Sequence, residues 1–182
     1  MSIQENKTAP QILEAGLSLG SNMGNRIYYL RAAIKAITGT PGTAITAISP
    51  VYETEPVGVK EEYRDMPYLN AALILQTTLT AKALSKAIHE IEKNLGRVRT
   101  ADRFAPRTID IDILYAGNTV SADPALTLPH PRWAQRRFVL QPLADIHPHL
   151  RIPGSNRTVT EHLAALPSGS EAVHKLTDTL TP

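Results

Sequence analysis

The sequence has no cysteine, little aromatic character and no long apolar run. Without cysteine, disulfides and thiolate chemistry are excluded, and any metal must be held by oxygen or imidazole ligands. No apolar stretch approaches the ~20 residues that a membrane-spanning helix needs, and the N-terminus lacks the apolar segment of a signal peptide. We therefore expect a cytoplasmic protein with no membrane association.

The 182 residues are 42% hydrophobic and 20% charged, which suits one globular domain with a real core. We expect a disordered N-terminal extension over residues 1–11, a domain over 12–167 and a C-terminal tail over 168–182. The net charge of +2 is too small to indicate a nucleic-acid binder by itself. Local clusters of charge must therefore decide what the protein binds.

Hydrophobic periodicity and turn residues predict strands and helices in the order β, α, β, β, α, β. The predicted strands are 12–19, 44–52, 68–77 and 108–115, and the predicted helices are 26–37 and the segment between Thr80 and Gly96. A turn at Gly117-Asn118 leads to a short return strand, and short helices are expected at 132–143 and 159–166. This order is typical of an α+β, ferredoxin-like antiparallel sheet, with helices packed on one face and ligand loops over the other.

The strand PRTIDIDIL, residues 106–114, contains two carboxylates. Because side chains alternate along a strand, Asp110 and Asp112 share a face with the other even-numbered residues, while Ile109, Ile111, Ile113 and Tyr115 face the core. The two carboxylates then lie about 6.8 Å apart along the strand at its usual rise per residue. Like charges this close need compensation.

Two interpretations of the aspartate pair are open from the strand alone. One is a structural network of salt bridges with nearby arginines. The other is a magnesium site, in which one or two carboxylates are joined by water and substrate phosphates.

Arginines are concentrated immediately before this strand and again after His130. Segment 97–107 has four arginines and one acid, and a second cluster contains Arg136. Arginine binds phosphate oxygens in a bidentate manner, so a metal site beside such a cluster indicates a polyphosphate ligand. The alternative is a solvated basic loop. No P-loop motif is present, since GSNMGN is too short and has no lysine.

These segments resemble a known enzyme family, the 6-hydroxymethyl-7,8-dihydropterin pyrophosphokinases of folate biosynthesis. RFAPRTIDIDIL is similar to the family signature, and further blocks match in order over residues 15–150. These blocks are LSLGSNMGNR, SPVYETEPVG, YLNAAL, IEKNLGRVR and LTLPHPRWAQRRFVLQPLADIHP.

The resemblance implies transfer of pyrophosphate from ATP, the co-substrate, to the hydroxymethyl group of the pterin, with release of AMP. It also implies two Mg²⁺ ions on Asp110 and Asp112, with these aspartates, Arg97 and Arg107 as the catalytic residues. The implied ATP-binding residues are Glu92, Arg97, Arg99, Arg107, Ile113, Thr127, His130 and Arg136. The implied pterin-binding residues are Thr54, Glu55, Val57, Tyr68, Asn70 and Phe138, with the ring between the two aromatic side chains.

Two other functions fit parts of the pattern. A two-metal phosphodiesterase or nuclease would use the same aspartates but needs further acidic ligands, for which Glu92 is the only good candidate. An RNA-binding module would present aromatic residues in the middle of the sheet and no acids there. The resemblance favours the pyrophosphokinase, with small-molecule substrates, no nucleic-acid partner and a monomeric state.

Overall fold

The computed structural model describes residues 11–56, 59–98, 102, 105–167 and 172–180. Eight strands and four α-helices lie in this part of the chain. The strands are β1 (Leu13–Ser21), β2 (Thr43–Ile48), β3 (Tyr52–Thr54), β4 (Tyr68–Thr77), β5 (Asp110–Ala116), β6 (Ser121–Asp123), β7 (Leu126–Leu128) and β8 (Val173–Lys175). The helices are α1 (Arg26–Thr38), α2 (Ala81–Asn94), α3 (Arg137–Ile146) and α4 (Val159–Ala164).

Six strands form one antiparallel sheet in the order β5-β1-β4-β3-β8, with β2 also paired to β4. This confirms the predicted α+β fold class. The single strand predicted at 44–52 is wrong in one respect, because it is interrupted between β2 and β3. Pro50 lies in the interruption, and proline has no N–H to donate to a neighbouring strand.

One face of the sheet is covered by α1 and α2, as predicted. Their starts are locally encoded: the side chains of Asn25 and Thr80 accept the N–H groups of Tyr28 and Ala83. Alternate residues of the central strands, together with the apolar sides of both helices, form the main core. Its fully buried members include Leu17, Leu19, Leu30, Ile34, Leu73, Leu75 and Ile109.

The opposite face is only partly open. The helices α3 and α4 pack over one end of it and form a second core with side chains from β4 and β5, including Ala72, Ile74, Leu114, Val139, Leu140 and Leu143. The other end of this face carries the acidic residues of β5. The loops predicted to lie over this face thus share it with two helices.

Tyr115 lies on a different face from the one predicted. The pairing of β1 with β5 is regular from Gly20↔Asp110 to Leu17↔Ile113, but Gly16 then pairs with Tyr115. Leu114 is therefore the extra residue of a β-bulge, which returns Tyr115 to the face covered by α3. The prediction failed because strict alternation assumes a continuous ladder.

Gly16→Ala should destabilise the fold by about 2 kcal/mol, because a methyl group has no space at this position. A Cβ at Gly16 would lie 2.3 Å from Cε1 of Tyr115. That ring is 3% exposed, and its hydroxyl donates to Glu14 Oε1 at 2.7 Å, so it cannot move away freely. Urea unfolding would measure the loss. In the control Gly39→Ala, the nearest atom lies 3.5 Å from the new Cβ and little change is expected; equal stabilities for the two variants would contradict the prediction.

The two ends of the chain differ in what the structure describes. Of the extension expected over residues 1–11, only Gln11 lies within the described residues. In the segment treated as a tail, β8 pairs with β3, and Leu180 is 3% exposed. The return strand expected after the turn at Gly117-Asn118 is β6, which pairs with β7 in a separate two-stranded sheet. No helix in the described part of the chain has the length and apolarity to cross a membrane.

Candidate active site

The two aspartates of the acidic strand, β5, lie beside small residues of the neighbouring strand β1. In the sheet register, Gly20 lies beside Asp110 and Asn70 lies beside Gly20, whereas Ser18 lies beside Asp112. Because strands are spaced ~4.8 Å apart, Asp110 and Asn70 are separated by about 10 Å across a glycine. We call this surface, bounded by Asp110, Asp112, Ser18, Gly20, Asn70 and Tyr68, the ligand face.

Asp110 is held by two arginines. Its Oδ1 accepts from Arg97 Nη1 at 2.5 Å, and its Oδ2 accepts from Arg107 Nη1 at 2.7 Å. In the structure as described, the salt-bridge interpretation therefore applies to this carboxylate. Each carboxylate oxygen has two lone pairs, so one remains on each oxygen for a cation.

Glu92 supports Arg97 from behind the strand. Its side chain lies in the last turn of α2 and is 3% exposed; it accepts the backbone N–H of Ile111 at 2.8 Å and also an N–H of the Arg97 guanidinium. Burial raises the pKa of Glu92 above its usual value, against the lowering effect of Arg97. The carboxylate thus connects α2 to β5 and orients the arginine.

Asp112 is less well neutralised than Asp110. Its side chain is 41% exposed, and its nearest cationic or imidazole nitrogens among the described residues are His130 Nε2 at 3.8 Å and Arg136 Nη1 at 3.9 Å. Burial of the carboxyl group and the adjacent charge of Asp110 raise the pKa of Asp112 to about 6. The strand therefore carries negative charge that its arginines compensate only in part.

His130 is a neutral hydrogen-bond donor beside Asp112. Burial and the charges of Arg136 and Arg132 lower its pKa to about 4. The backbone N–H of His130 donates to Leu114 O at 2.9 Å, and its Nδ1 accepts the N–H of Arg132 at 3.2 Å. The ring proton is therefore on Nε2, the nitrogen that faces Asp112.

The turn after β1 fixes the backbone beside Arg107. The Oδ1 of Asn22 accepts the N–H of Arg107 at 2.8 Å, and the N–H of Asn22 donates to the Arg107 carbonyl at 3.2 Å. Ser21 Oγ donates to Thr108 O at 2.5 Å. Neither Ser21 nor Asn22 is among the site residues predicted from the sequence. Two polar side chains directly after an apolar strand were the available signal, but their partners are more than 80 residues away.

The other side of the ligand face combines the aromatic ring of Tyr68 with an amide. Asn70 is 3% exposed and donates through Nδ2 to Thr54 Oγ1 at 2.8 Å. The half-buried Tyr68 precedes it on β4, and burial raises the pKa of its hydroxyl. Phe138, from α3, lies under the Arg136 guanidinium, 5.3 Å from the ring centre. These groups suit a flat polar heterocycle.

Comparison with known proteins identifies the family. Residues 16–148 match the family described as 7,8-dihydro-6-hydroxymethylpterin-pyrophosphokinase (HPPK). This chain belongs to the HPPK family. A Methylorubrum extorquens protein named 2-amino-4-hydroxy-6-hydroxymethyldihydropteridine pyrophosphokinase is 46% identical over 161 residues, 87% of this chain and 98% of that protein. A Pseudomonas aeruginosa protein of the same name is 39% identical over 151 residues, 83% and 90% of the two chains.

The fold is also that of HPPK-containing structures. A crystal structure of a Plasmodium falciparum HPPK-DHPS triple mutant superposes with a TM-score of 0.69 at 16% identity. The match covers 87% of this chain but 45% of the Plasmodium chain, so this protein spans less than half of that longer one. At this identity the likeness concerns the fold alone.

The structure brings together several of the residues that the HPPK resemblance singled out. Arg97, Arg107 and Asp110 are in direct contact, and His130 and Arg136 border Asp112. Ile113 is 8% exposed with its side chain in the main core, so only its backbone is available to a nucleotide. Glu55 and Thr127 are exposed, and the hydroxyl of Thr127 donates to Asp123 O at 3.1 Å. Val57 and Arg99 lie outside the described residues.

Proposed function

We propose that the ligand face is the active site at which this HPPK-family chain works. As a member of the family, the chain transfers a pyrophosphoryl group from ATP to hydroxymethyldihydropterin in folate biosynthesis. The observation that supports the placement is the register. It sets two carboxylates on one side of Gly20 and Ser18, and the buried amide of Asn70, next to Tyr68 on β4, on the other. A phosphate donor and a flat acceptor can therefore meet across the glycine.

The residues of β5 fit magnesium. Asp110 and Asp112 offer hard oxygen ligands on one face, and their partly uncompensated charge favours a divalent cation. Among the described residues, no group of three or more acidic, histidine or cysteine side chains gathers around a common point. Water and phosphate oxygens would thus complete the coordination, as magnesium prefers. We propose two Mg²⁺ ions, which when bound would neutralise phosphate charge and polarise the acceptor hydroxyl.

The reaction we propose is an in-line displacement at the β-phosphorus of ATP. The pterin hydroxyl oxygen forms a bond to this phosphorus and loses its proton, while the bond to the oxygen bridging the α- and β-phosphorus breaks and AMP leaves. Arg97 and Arg107 would stabilise the charge that develops on the transferred group. His130 would donate its Nε2 proton to a phosphate oxygen in a hydrogen bond, and Arg136 lies close enough to share that role.

The pterin would lie on the side of Asn70. We propose that the ring stacks between Tyr68 and Phe138 and that Asn70 reads its donors and acceptors. The amide can do so in one orientation because Thr54 accepts one of its protons. Glu55 and the backbone from Thr54 onward would complete this side.

Thr54→Val tests that orientation. The variant leaves the buried Asn70 amide without its partner, so we expect a loss of about 1–2 kcal/mol of stability and a severalfold higher KM for the pterin. The KM for ATP should stay the same. Thr54→Ser retains the hydroxyl and serves as the control. If the valine variant bound pterin normally, Thr54 would not orient the amide.

The alternative functions find less support in the described residues. A two-metal nuclease would need a third acid, but Glu92 is buried and bonded to Arg97 and Ile111. An RNA-binding sheet would present aromatic residues in the middle of its central strands, whereas β1 and β4 have Ser18, Gly20 and the buried Asn70 at those positions. The aspartates of β5 also repel a nucleic-acid backbone.

Product analysis tests the function directly. The full chain, incubated with ATP, Mg²⁺ and 6-hydroxymethyl-7,8-dihydropterin, should form AMP and pterin diphosphate in equal amounts, as measured by chromatography. Formation of ADP would indicate an ordinary kinase, and ATP cleavage without pterin would indicate a hydrolase. The cytoplasmic location and monomeric state expected from the sequence stay predictions.

A further inference from the structure

Arg26 occupies an unusual position for an arginine. It is the first residue of α1, where the positive end of the helix dipole disfavours a cation, and the first turn contains no acidic residue. Its side chain is 28% exposed, so it is not simply a solvated surface group. The charge must be compensated by another part of the chain.

The compensation comes from both ends of one loop. Arg26 Nη1 lies 2.9 Å from Glu53 Oε2 and donates to the carbonyl oxygen of Pro67 at 2.8 Å. Glu53 is in β3, and Pro67 directly precedes β4. A single nitrogen atom of Arg26 thus contacts both ends of the 55–67 loop. We call these two ends, Glu53–Thr54 and Pro67–Tyr68, the neck of the loop.

The residues proposed to bind the pterin lie at that neck. Glu53 pairs with Leu69 in the register, and Thr54 pairs with Tyr68 as the last pair before the loop. Each contact of Arg26 is therefore one residue from this pair. Leu69 packs in the main core, so Glu53, its register partner, belongs to the side of the sheet on which α1 lies. The pterin residues lie on the opposite side, so Arg26 acts on the neck from behind.

We infer that Arg26 is a positioning residue for the pterin: by holding Glu53 to Pro67, it sets the spacing of Thr54 and Tyr68 and, through Thr54, the orientation of Asn70. It does not touch the substrate. The inference rests on the proposed placement of the pterin. Arg97, Arg107, Asp110 and Asp112 lie on the far side of Gly20, so the nucleotide side should be independent of Arg26.

The test is the kinetic profile of Arg26→Gln in the full-length chain. We expect the KM for the pterin to rise about tenfold, which corresponds to about 1.4 kcal/mol, while the KM for ATP stays within about twofold and kcat within about threefold. Arg26→Lys should restore most of the pterin KM, because one nitrogen makes both contacts. The control Arg31→Gln removes another α1 arginine, which binds Thr179 O instead, and should leave all constants unchanged.

A binding measurement separates this inference from the proposed function. Fluorescence titration with 6-hydroxymethylpterin, in the presence of an ATP analogue with a methylene group between the α- and β-phosphorus, reports pterin affinity without turnover. Affinity should fall about tenfold in Arg26→Gln. If the wild-type chain forms no AMP, the proposed function fails. If it forms AMP but Arg26→Gln binds pterin normally, or weakens both substrates equally, only the role of Arg26 is overturned.

If Arg26→Gln folds poorly, Glu53→Gln tests the same contact from the side of its carboxylate partner. It removes the charge and retains an acceptor, so the pterin KM should rise about threefold, and the double variant should be no worse than Arg26→Gln alone. Additive losses in the double variant would contradict a shared role.

Discussion

Asp112→Asn is expected to lower turnover by roughly three orders of magnitude while leaving the fold intact. The asparagine has the same shape, but it removes one of the two charges proposed to hold magnesium. Asp112 is the sharper target of the pair, because Asp110 also neutralises Arg97 and Arg107 and its loss would disturb both. Steady-state AMP formation at saturating ATP, pterin and Mg²⁺ measures the effect.

The free energy of unfolding of Asp112→Asn should rise slightly, although its turnover falls. A carboxyl group whose pKa is raised by folding, here to about 6, destabilises the folded state increasingly as the pH rises from the unfolded pKa through the folded one. At pH 7 the charge of Asp112 therefore works against folding in the absence of ligands. Because the side chain is 41% exposed, solvent screening reduces the effect, and we expect a gain of at most about 1 kcal/mol in urea unfolding.

The control for Asp112→Asn is Asp178→Asn, an exposed aspartate in the C-terminal segment. It should leave both turnover and stability unchanged. Near-normal turnover in Asp112→Asn would rule out the proposed metal ligand. A marked loss of stability would instead show that Asp112 is a structural salt-bridge partner.

Arg97→Met should reduce the free energy of unfolding by about 3 kcal/mol and also abolish most activity. The guanidinium, 16% exposed, lies between Glu92 and Asp110, so its removal takes a cation away from a carboxylate that is 3% exposed. Asp110 retains Arg107, whereas the buried Glu92 loses the Arg97 cation and keeps the Ile111 N–H. The cost therefore arises mainly at Glu92, and urea unfolding at pH 7 measures it.

The pH dependence of the stability loss in Arg97→Met tests whether the loss arises at Glu92. The pKa of Glu92 is already raised by burial, and removal of Arg97 raises it further. At low pH Glu92 is protonated in the variant and its buried charge disappears, so the stability difference from wild type should shrink from pH 8 to pH 5. Glu92→Gln in the Arg97→Met background should recover much of the loss at pH 8. A difference that is independent of pH, with no recovery in the double variant, would place the cost in packing instead.

The local sequence pattern was sufficient to predict β4, the start of α1 and the shared face of the two aspartates in the site. The strand predicted at 68–77 coincides with β4, and α1 begins at Arg26 as predicted, because periodicity and capping depend on residues a few positions apart. Alternation along PRTIDIDIL also delivers Asp110 and Asp112 to one face and the isoleucines to the core. The family resemblance, confirmed by the comparisons, added the reaction.

What the tertiary structure decided depends on partners distant in the chain. The bulge at Leu114 follows from the register with β1, so Tyr115 could not be placed from its own strand. Arg97 reaches Asp110 because Glu92, on a helix, orients it, and Arg26 closes a loop whose ends it meets only in the folded chain. The alternation of side chains is a property of each strand and is present in the sequence. The cation that neutralises each carboxylate is decided by packing, because it is the one that the fold brings within hydrogen-bond distance.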